Sequence, residues 1–318
     1  MKSGLIYEEN TPMNPGKSAH GHDEHVVLGM SAAMGAFFMF TIMNVFAKLL
    51  SEHHSVIEIA FYRNLIASMP FLIMVFVFGK REILVLHSKP VLVGVRATLG
   101  VVSLCTTFAA FSLMPLADTT ALLFTSSLFI PIFGVLFLKE SVGAYRWSAV
   151  VIGFIGVIIM AQPSGEVYSI GIIVAICAAL MHAILQIVLR YLGRYESPQT
   201  ISFYFFIIGT FLTALPLPFI AVRPSMSEIP LLLGVGLSGA AAQFLLSVAY
   251  RNAQAAIVTV FNFSGIFWAM MFGWIIWNDW PTSTVMVGAG VVIASNALII
   301  WREARLGKIS DARIRAKL

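Results

Sequence analysis

Ten long apolar segments run through this chain, and they limit what it can fold into more than any other feature. Roughly 20 apolar residues are needed for a helix to cross the ~30 Å hydrocarbon core of a bilayer. Only 11% of the residues are charged and the mean hydropathy is +0.89, whereas an ordinary soluble domain has about 25% charged residues. The sequence therefore predicts an all-α integral membrane protein with ten transmembrane helices, and it excludes a soluble enzyme. The predicted spans are Val26–Leu50, Ile59–Phe78, Val91–Ser112, Leu116–Leu138, Trp147–Gln162, Ile170–Leu192, Thr200–Val222, Ile229–Tyr250, Ala256–Asn278 and Thr284–Trp301.

Lysine and arginine are distributed unequally between the two sides of the predicted membrane. Sixteen of them fall in the two tails and the even-numbered connections, whereas the opposite side has only Lys48 and Arg223. By the positive-inside rule this asymmetry places both termini in the cytoplasm. The net charge of +5 is then a consequence of topology, and no nucleic-acid partner is expected. The expected partners are the lipid bilayer and a small-molecule substrate, and the oligomeric state is left open between monomer and homodimer.

The second half of the chain repeats the first. At a constant offset of 142 residues, Asn44 aligns with Gln186 and Lys48 with Arg190, and at an offset of 139 Phe124 aligns with Phe263. The match extends through four helices, and polar residues match polar residues. Each half contains five spans, so the second half enters the membrane in the opposite orientation. Inverted repeats of this kind build secondary transporters, with the binding site near the midplane between the halves.

The repeat divides the chain into four parts. We predict a disordered cytoplasmic tail, a first five-helix repeat, a second five-helix repeat and a basic cytoplasmic tail over residues 1–25, 26–163, 164–302 and 303–318.

Several motifs resemble those of a known family. They are Asn44 with Lys48, Phe61–Arg63, Gly94–Ala97, Pro131–Glu140, Arg146–Trp147 and Gly153–Val157. Together they resemble the drug/metabolite transporter superfamily, in its ten-helix branch with two EamA domains. The arginine of the third helix and the Arg-Trp pair of the fifth look most like the branch with S-adenosylmethionine and riboflavin uptake carriers, while other members export metabolites or amino acids. The second copy departs from the family pattern at Phe205, Met270 and Asp279, which stand in the places of Arg63, Pro131 and Glu140.

Polar side chains within the spans are the candidate substrate-binding groups, because charge inside hydrocarbon is costly and pockets combine apolar walls with a few convergent polar groups. The candidates are Asn44, Tyr62, Arg63, Arg96, Thr125, His182, Gln186, Tyr204, Gln243 and Asn262.

Four of these candidates have structural alternatives. The guanidinium of Arg63 suits a carboxylate or phosphate on a substrate, or it forms an ion pair with Glu58 or Asp118. Arg96 either contributes to the site, reaches the membrane interface, or pairs with Glu140. His182 and Gln186, one turn apart on one face, offer hydrogen bonds to a ligand or to a neighbouring helix.

No motif indicates an enzyme, a metal site or a cofactor. The chain has neither a Walker-type phosphate loop nor a His-Glu-x-x-His run, and Cys105 and Cys177 are isolated packing residues. Pro131 predicts a kink in the fourth span. The overall prediction is a secondary transporter for a small polar or amphipathic metabolite, resembling S-adenosylmethionine, riboflavin or an amino acid, in a bacterial cytoplasmic membrane. Export of amino acids or drugs and a small-solute channel are the alternatives.

Overall fold

The computed structural model describes residues 15–87, 89–138, 144–161, 169–193, 195–252, 258 and 261–298. All regular secondary structure in these ranges is helical, as predicted. The helices are α1 (Pro15–Leu50), α2 (Val56–Phe76), α3 (Pro90–Leu113), α4 (Leu116–Leu123), α5 (Ser126–Leu138), α6 (Ala144–Ala161), α7 (Ser169–Leu192), α8 (Pro198–Ala214), α9 (Leu217–Ile220), α10 (Ile229–Asn252), α11 (Ser264–Trp277) and α12 (Ser283–Leu298).

Five helices are long and apolar enough to cross a bilayer. These are the apolar part of α1 from Val27, together with α2, α3, α7 and α10. Shorter apolar helices of 10–17 residues occupy the positions of the other five predicted spans. The chain is therefore a helical integral membrane protein.

The N-terminal segment differs from the expectation. α1 begins at Pro15, well before the apolar stretch, so the backbone is helical over part of the segment that was expected to be disordered. Proline at the first helical position is favourable because its missing N–H has no intrahelical partner there. Residues 1–14 and the basic tail over 303–318 lie outside the described residues.

Matching caps begin the second helix of each half. The hydroxyl of Ser55 accepts a hydrogen bond from the backbone N–H of Glu58 at 3.3 Å, and the hydroxyl of Ser197 accepts one from Thr200 N–H at 3.1 Å. Each serine satisfies a backbone donor that has no partner within the helix. Ser55 and Ser197 are separated by 142 residues, which is the offset of the sequence repeat.

Helices of each half of the chain pack on helices of the other half. α1 packs on α10, and the equivalent helix α7 packs on α3. α2 packs on α10 as α8 packs on α3, and α2 packs directly against its own equivalent, α8. α4 of the fourth predicted span packs on α11 of the ninth, the equivalent span. This pairing brings the two halves together along α2, α8, α4 and α11.

The last helix of each half is packed closely against the other. A Cβ atom added to Gly288 of α12 would lie 2.6 Å from the carbonyl oxygen of Gly156 in α6, and one added to Gly156 would lie 2.8 Å from that of Gly288. The Ser295 hydroxyl also donates to the Ala149 carbonyl. Small residues at such crossings let two helical backbones approach.

This packing predicts that Gly288→Ala will destabilise the protein by about 1–3 kcal/mol, the usual cost of overpacking. Gly290→Ala is the matched control, because a Cβ there meets nothing within 4 Å and alanine is favoured over glycine in a helix. Unfolding of the two purified variants in detergent will measure the difference. Equal stability of the two variants would contradict the close approach of α6 and α12.

Candidate substrate site

Arg63 of α2 lies in the interior of the helix bundle. Its residue exposure is only 2%, and its Nη1 donates a 2.9 Å hydrogen bond to Asn64 Oδ1. The guanidinium carbon lies 5.0 Å from the ring centroid of Phe206 and 5.3 Å from that of Phe205, within the range of a cation–π contact. Arg63 Nε has no hydrogen-bond partner.

Arg96 of α3 meets the same aromatic ring. Its guanidinium carbon lies 4.5 Å from the Phe205 centroid, and its residue exposure is 6%. Phe205 of α8 covers the side chain, so Arg96 is buried among the helices. Its Nε and Nη1 atoms have no hydrogen-bond partner. We call Arg63, Asn64, Arg96, Phe205 and Phe206 the paired-arginine cluster.

The predicted ion-pair partners of Arg63 lie near other residues. Glu58 lies 3.0 Å from His54, and Asp118 lies in the electrostatic range of Lys48. Glu140, the partner considered for Arg96, lies outside the described residues. Within the described part of the chain, neither arginine forms an ion pair.

Glycines allow the backbone to approach this cluster. A Cβ atom on Gly100 of α3 would lie 2.8 Å from Phe205 Cε2, and one on Gly239 of α10 would lie 3.1 Å from Arg63 Nε. Gly100 and Gly239 are separated by the repeat offset of 139 residues, and Arg63 and Phe205 by that of 142. The two halves thus present equivalent positions to each other, with arginine in one half and phenylalanine in the other.

His182 and Gln186 of α7 lie one turn apart on one face of the helix. His182 is nine residues, or two and a half helical turns, from the outward-facing Ile173 and therefore points to the opposite side of the helix. It is surrounded by protein and lies in the field of Arg96, yet its side chain retains accessible surface, as does that of Gln186.

The fourth and ninth predicted spans are interrupted at equivalent residues. Phe124 ends α4 and Phe263 precedes α11, with nearly identical backbone angles, and their rings meet edge to face at 5.4 Å. The discontinuity of the fourth span therefore lies before Thr125, whereas the kink was expected at Pro131. The reason is local: Ser127 N–H and Leu128 N–H bond three residues back, to Phe124 and Thr125, which tightens the turn.

The remaining predicted site residues differ in their burial and in their hydrogen bonds. Thr125 is fully buried, and within the described part of the chain neither its hydroxyl nor the Asn44 side-chain oxygen has a hydrogen-bond partner. Tyr62, Gln243 and Asn262 are half-buried. The Tyr204 hydroxyl instead donates to the Leu84 carbonyl at 2.9 Å, so it anchors the connection between α2 and α3, away from the paired-arginine cluster.

Sequence reasoning did not select Asn64, Phe205 or Phe206. Asn64 carries a detectable signal, because it is an amide inside an apolar span beside Arg63. The two phenylalanines carry none, since phenylalanine is common throughout these spans.

A second polar cluster joins the connections at the end of the bundle where α1 meets α2. His54 lies 3.0 Å from a Glu58 oxygen through Nδ1 and 3.4 Å from a Glu228 oxygen through Nε2. The backbone N–H and hydroxyl of Ser225 donate to Glu228 at 2.7 and 2.8 Å. At the same end, Lys48 Nζ donates to the Met114 carbonyl at 2.5 Å.

Long apolar helices around a buried polar centre define a multi-pass membrane transporter. The chain belongs to the EamA-like transporter family, whose model matches residues 27–162 and again residues 169–301. This match confirms the resemblance seen in the sequence, and the protein is a small-metabolite transporter of this family.

Three relatives and one solved structure illustrate the similarity. The chain is 30% identical to a pseudopaline exporter of Pseudomonas aeruginosa (strain UCBPP-PA14) over 85% of this chain and 95% of the relative. It is 30% identical to a riboflavin transporter of Vibrio cholerae over 60% of this chain and 65% of the relative. It is 27% identical to an S-adenosylmethionine uptake transporter of Rickettsia prowazekii over 83% of this chain and 90% of the relative. A solved crystal structure shares the fold, with a TM-score of 0.61, 14% identity, and coverage of 89% of this chain and 99% of the other.

The second polar cluster predicts a pH-dependent contribution to stability. The hydrogen bonds from Ser225 N–H and its hydroxyl, followed by His54, lower the pKa of Glu228 from 4.5 to about 2. A lowered pKa stabilises the fold above the ordinary pKa, and this contribution is lost as the pH falls towards 2. Glu228→Gln should therefore lower the thermal midpoint at pH 7 and match the wild type near pH 2. Glu82→Gln, at an exposed position, should leave the thermal midpoint unchanged at both pH values. A difference between wild type and Glu228→Gln that does not vary with pH would contradict this account.

Proposed function

We propose that this protein is a secondary carrier that moves a small polar or amphipathic metabolite across a bacterial cytoplasmic membrane by alternating access. The observation that carries the proposal is the paired-arginine cluster, in which two buried cations lie where helices of both halves meet. Unpaired charges of this kind are retained in membrane proteins for substrate or ion pathways.

The proposed architecture is ten spans in two inverted repeats, over residues 26–163 and 164–302, with both termini in the cytoplasm. Three observations support it: the exchange of helix contacts between the halves, the family model that matches twice, and the positions of lysine and arginine in the connections. Interruptions at Phe124 and Phe263 resemble the discontinuous helices that form midplane sites in other carriers.

We assign direct substrate contact to Arg63 and Arg96, with His182 and Gln186 lining the same space. Asn44, Tyr62, Thr125, Gln243 and Asn262 are the further candidate binding groups. Tyr204 is proposed to act at the α2–α3 connection, where it bonds to Leu84.

The relatives favour two directions of transport. Uptake is indicated by the S-adenosylmethionine uptake transporters. Compounds like S-adenosylmethionine, riboflavin or amino acids are the substrate candidates. Export is the second candidate, because the pseudopaline exporter is matched over 95% of its length.

Counterflow in proteoliposomes tests the carrier directly. The vesicles contain one unlabelled candidate at high concentration, and entry of the labelled compound is followed without an ion gradient. Transient accumulation above equilibrium identifies a carrier, because a channel equilibrates its solute without exchange. Simple equilibration of every solute that enters would reject the carrier and favour a channel.

For a substrate that undergoes counterflow, Arg63→Gln should reduce exchange by roughly 10- to 150-fold, the equivalent of losing about 1.5–3 kcal/mol of charge-assisted hydrogen bonding. Arg223→Gln is the control, because it removes one positive charge at an exposed position outside the site. Size-exclusion profiles of both variants report folding. Normal exchange by a folded Arg63→Gln protein would remove Arg63 from the site.

A further inference from the structure

The paired-arginine cluster concentrates positive charge in a place where charge is expensive. Arg63 and Arg96 are both more than nine-tenths buried, and Arg63 Nε with Arg96 Nε and Nη1 has no hydrogen-bond partner. Leaving a buried charge without a partner costs several kcal/mol. Among the described residues, no anion neutralises these two charges, so an anionic ligand would stabilise them.

The nearby carboxylates of the described residues cannot supply that neutralisation. Glu58 and Glu228 are occupied by His54, Glu196 bonds to the backbone N–H of His87 at 2.9 Å, and Asp118 lies near Lys48. Arg63 lies in the field of Arg96, and so does His182. Two buried guanidinium groups without an ion pair among the described residues make this centre positive.

The two guanidinium groups share one aromatic neighbour. The two guanidinium groups lie within 5.3 Å of one ring centroid, that of Phe205, but Arg63 extends from α2 and Arg96 from α3. Their planar forks suit carboxylates, and the phenyl ring beside both offers an apolar surface. A ligand with two acidic groups joined by an apolar segment would match two forks beside one phenyl ring.

We propose that the substrate site selects a small dicarboxylate, with one carboxylate at Arg63, the other at Arg96, and the carbon skeleton against Phe205. This inference rests on the proposed carrier function, and within that function it favours an anionic substrate over the riboflavin-like and S-adenosylmethionine-like candidates. A cationic substrate is repelled by the two arginines, and a neutral one leaves both charges unpaired. Selectivity thus follows from the penalty for the wrong ligand as well as from contacts with the right one.

A binding experiment on the full-length protein in detergent tests this class. The probes are succinate, glutarate and adipate, their diamides, the diamines of matched length, and inorganic phosphate, all at constant ionic strength. Thermal unfolding should shift upwards and saturably with at least one dicarboxylate, since a ligand that binds the native state stabilises it. The diamides and diamines should produce no shift.

Variants assign the effect to the two arginines. Arg63→Gln and Arg96→Gln should each weaken binding of the dicarboxylate at least about tenfold, and Arg223→Gln should leave it unchanged. If a glutamine variant does not fold, Arg63→Lys and Arg96→Lys preserve the charge without the planar fork and should still weaken binding measurably.

The outcomes separate this inference from the carrier proposal. No shift with any dicarboxylate, a shift with phosphate alone, or a shift with a diamide or diamine overturns the inference. So does binding of a dicarboxylate that is unchanged in both glutamine variants. If the dicarboxylate binds through both arginines but undergoes no counterflow, the site stands and the carrier proposal fails. If a neutral or cationic solute undergoes counterflow in wild type and both variants, the carrier stands and the dicarboxylate site fails.

Discussion

The contact of two arginines with one phenyl ring is the interaction on which this account depends. Arg63 and Arg96 approach the Phe205 ring to 5.3 and 4.5 Å from different helices, and Arg63 also lies over Phe206. Cation–π contacts of this kind contribute about 2 kcal/mol or more when desolvated, which only partly offsets burial of two like charges. The balance of charge leaves this centre suited to an anionic ligand.

The symmetry of the chain explains how such a centre arises. Helix pairs exchange between the halves, and the residues where the halves meet are separated by the repeat offsets, as with Gly100 and Gly239 or Phe124 and Phe263. If symmetry were complete, position 205 would also be arginine, and two arginines in contact would repel each other. Phenylalanine there provides a surface for Arg63 in place of a repelling charge. The departure from the repeat is thus the feature that makes the centre stable and asymmetric.

Sequence reasoning was most accurate where one-dimensional patterns determine structure. The sixth predicted span, Ile170–Leu192, differs from α7 by one residue at its start, because length and apolarity suffice to define a helix. Sequence reasoning failed where contacts with other parts of the fold determine the position of a side chain or the end of a helix. Arg96 lies close to the start of α3, which favoured the membrane interface, but Phe205 from α8 covers it. No glycine or proline marks the interruption at Phe124 in the sequence. The hydrogen bond from Tyr204 to the connection between α2 and α3 also cannot be predicted from the positions of the spans.

Labelling of one residue from both sides of the membrane tests the central claim, that the space beside the paired-arginine cluster opens alternately to each side. Gln186→Cys in a Cys105→Ser, Cys177→Ser background provides a single thiol in that space, because the chain has only these two cysteines. An impermeant maleimide is applied to proteoliposomes of known protein orientation. We expect labelling from either side and protection by the transported substrate. Labelling from one side alone, with or without substrate, would contradict alternating access.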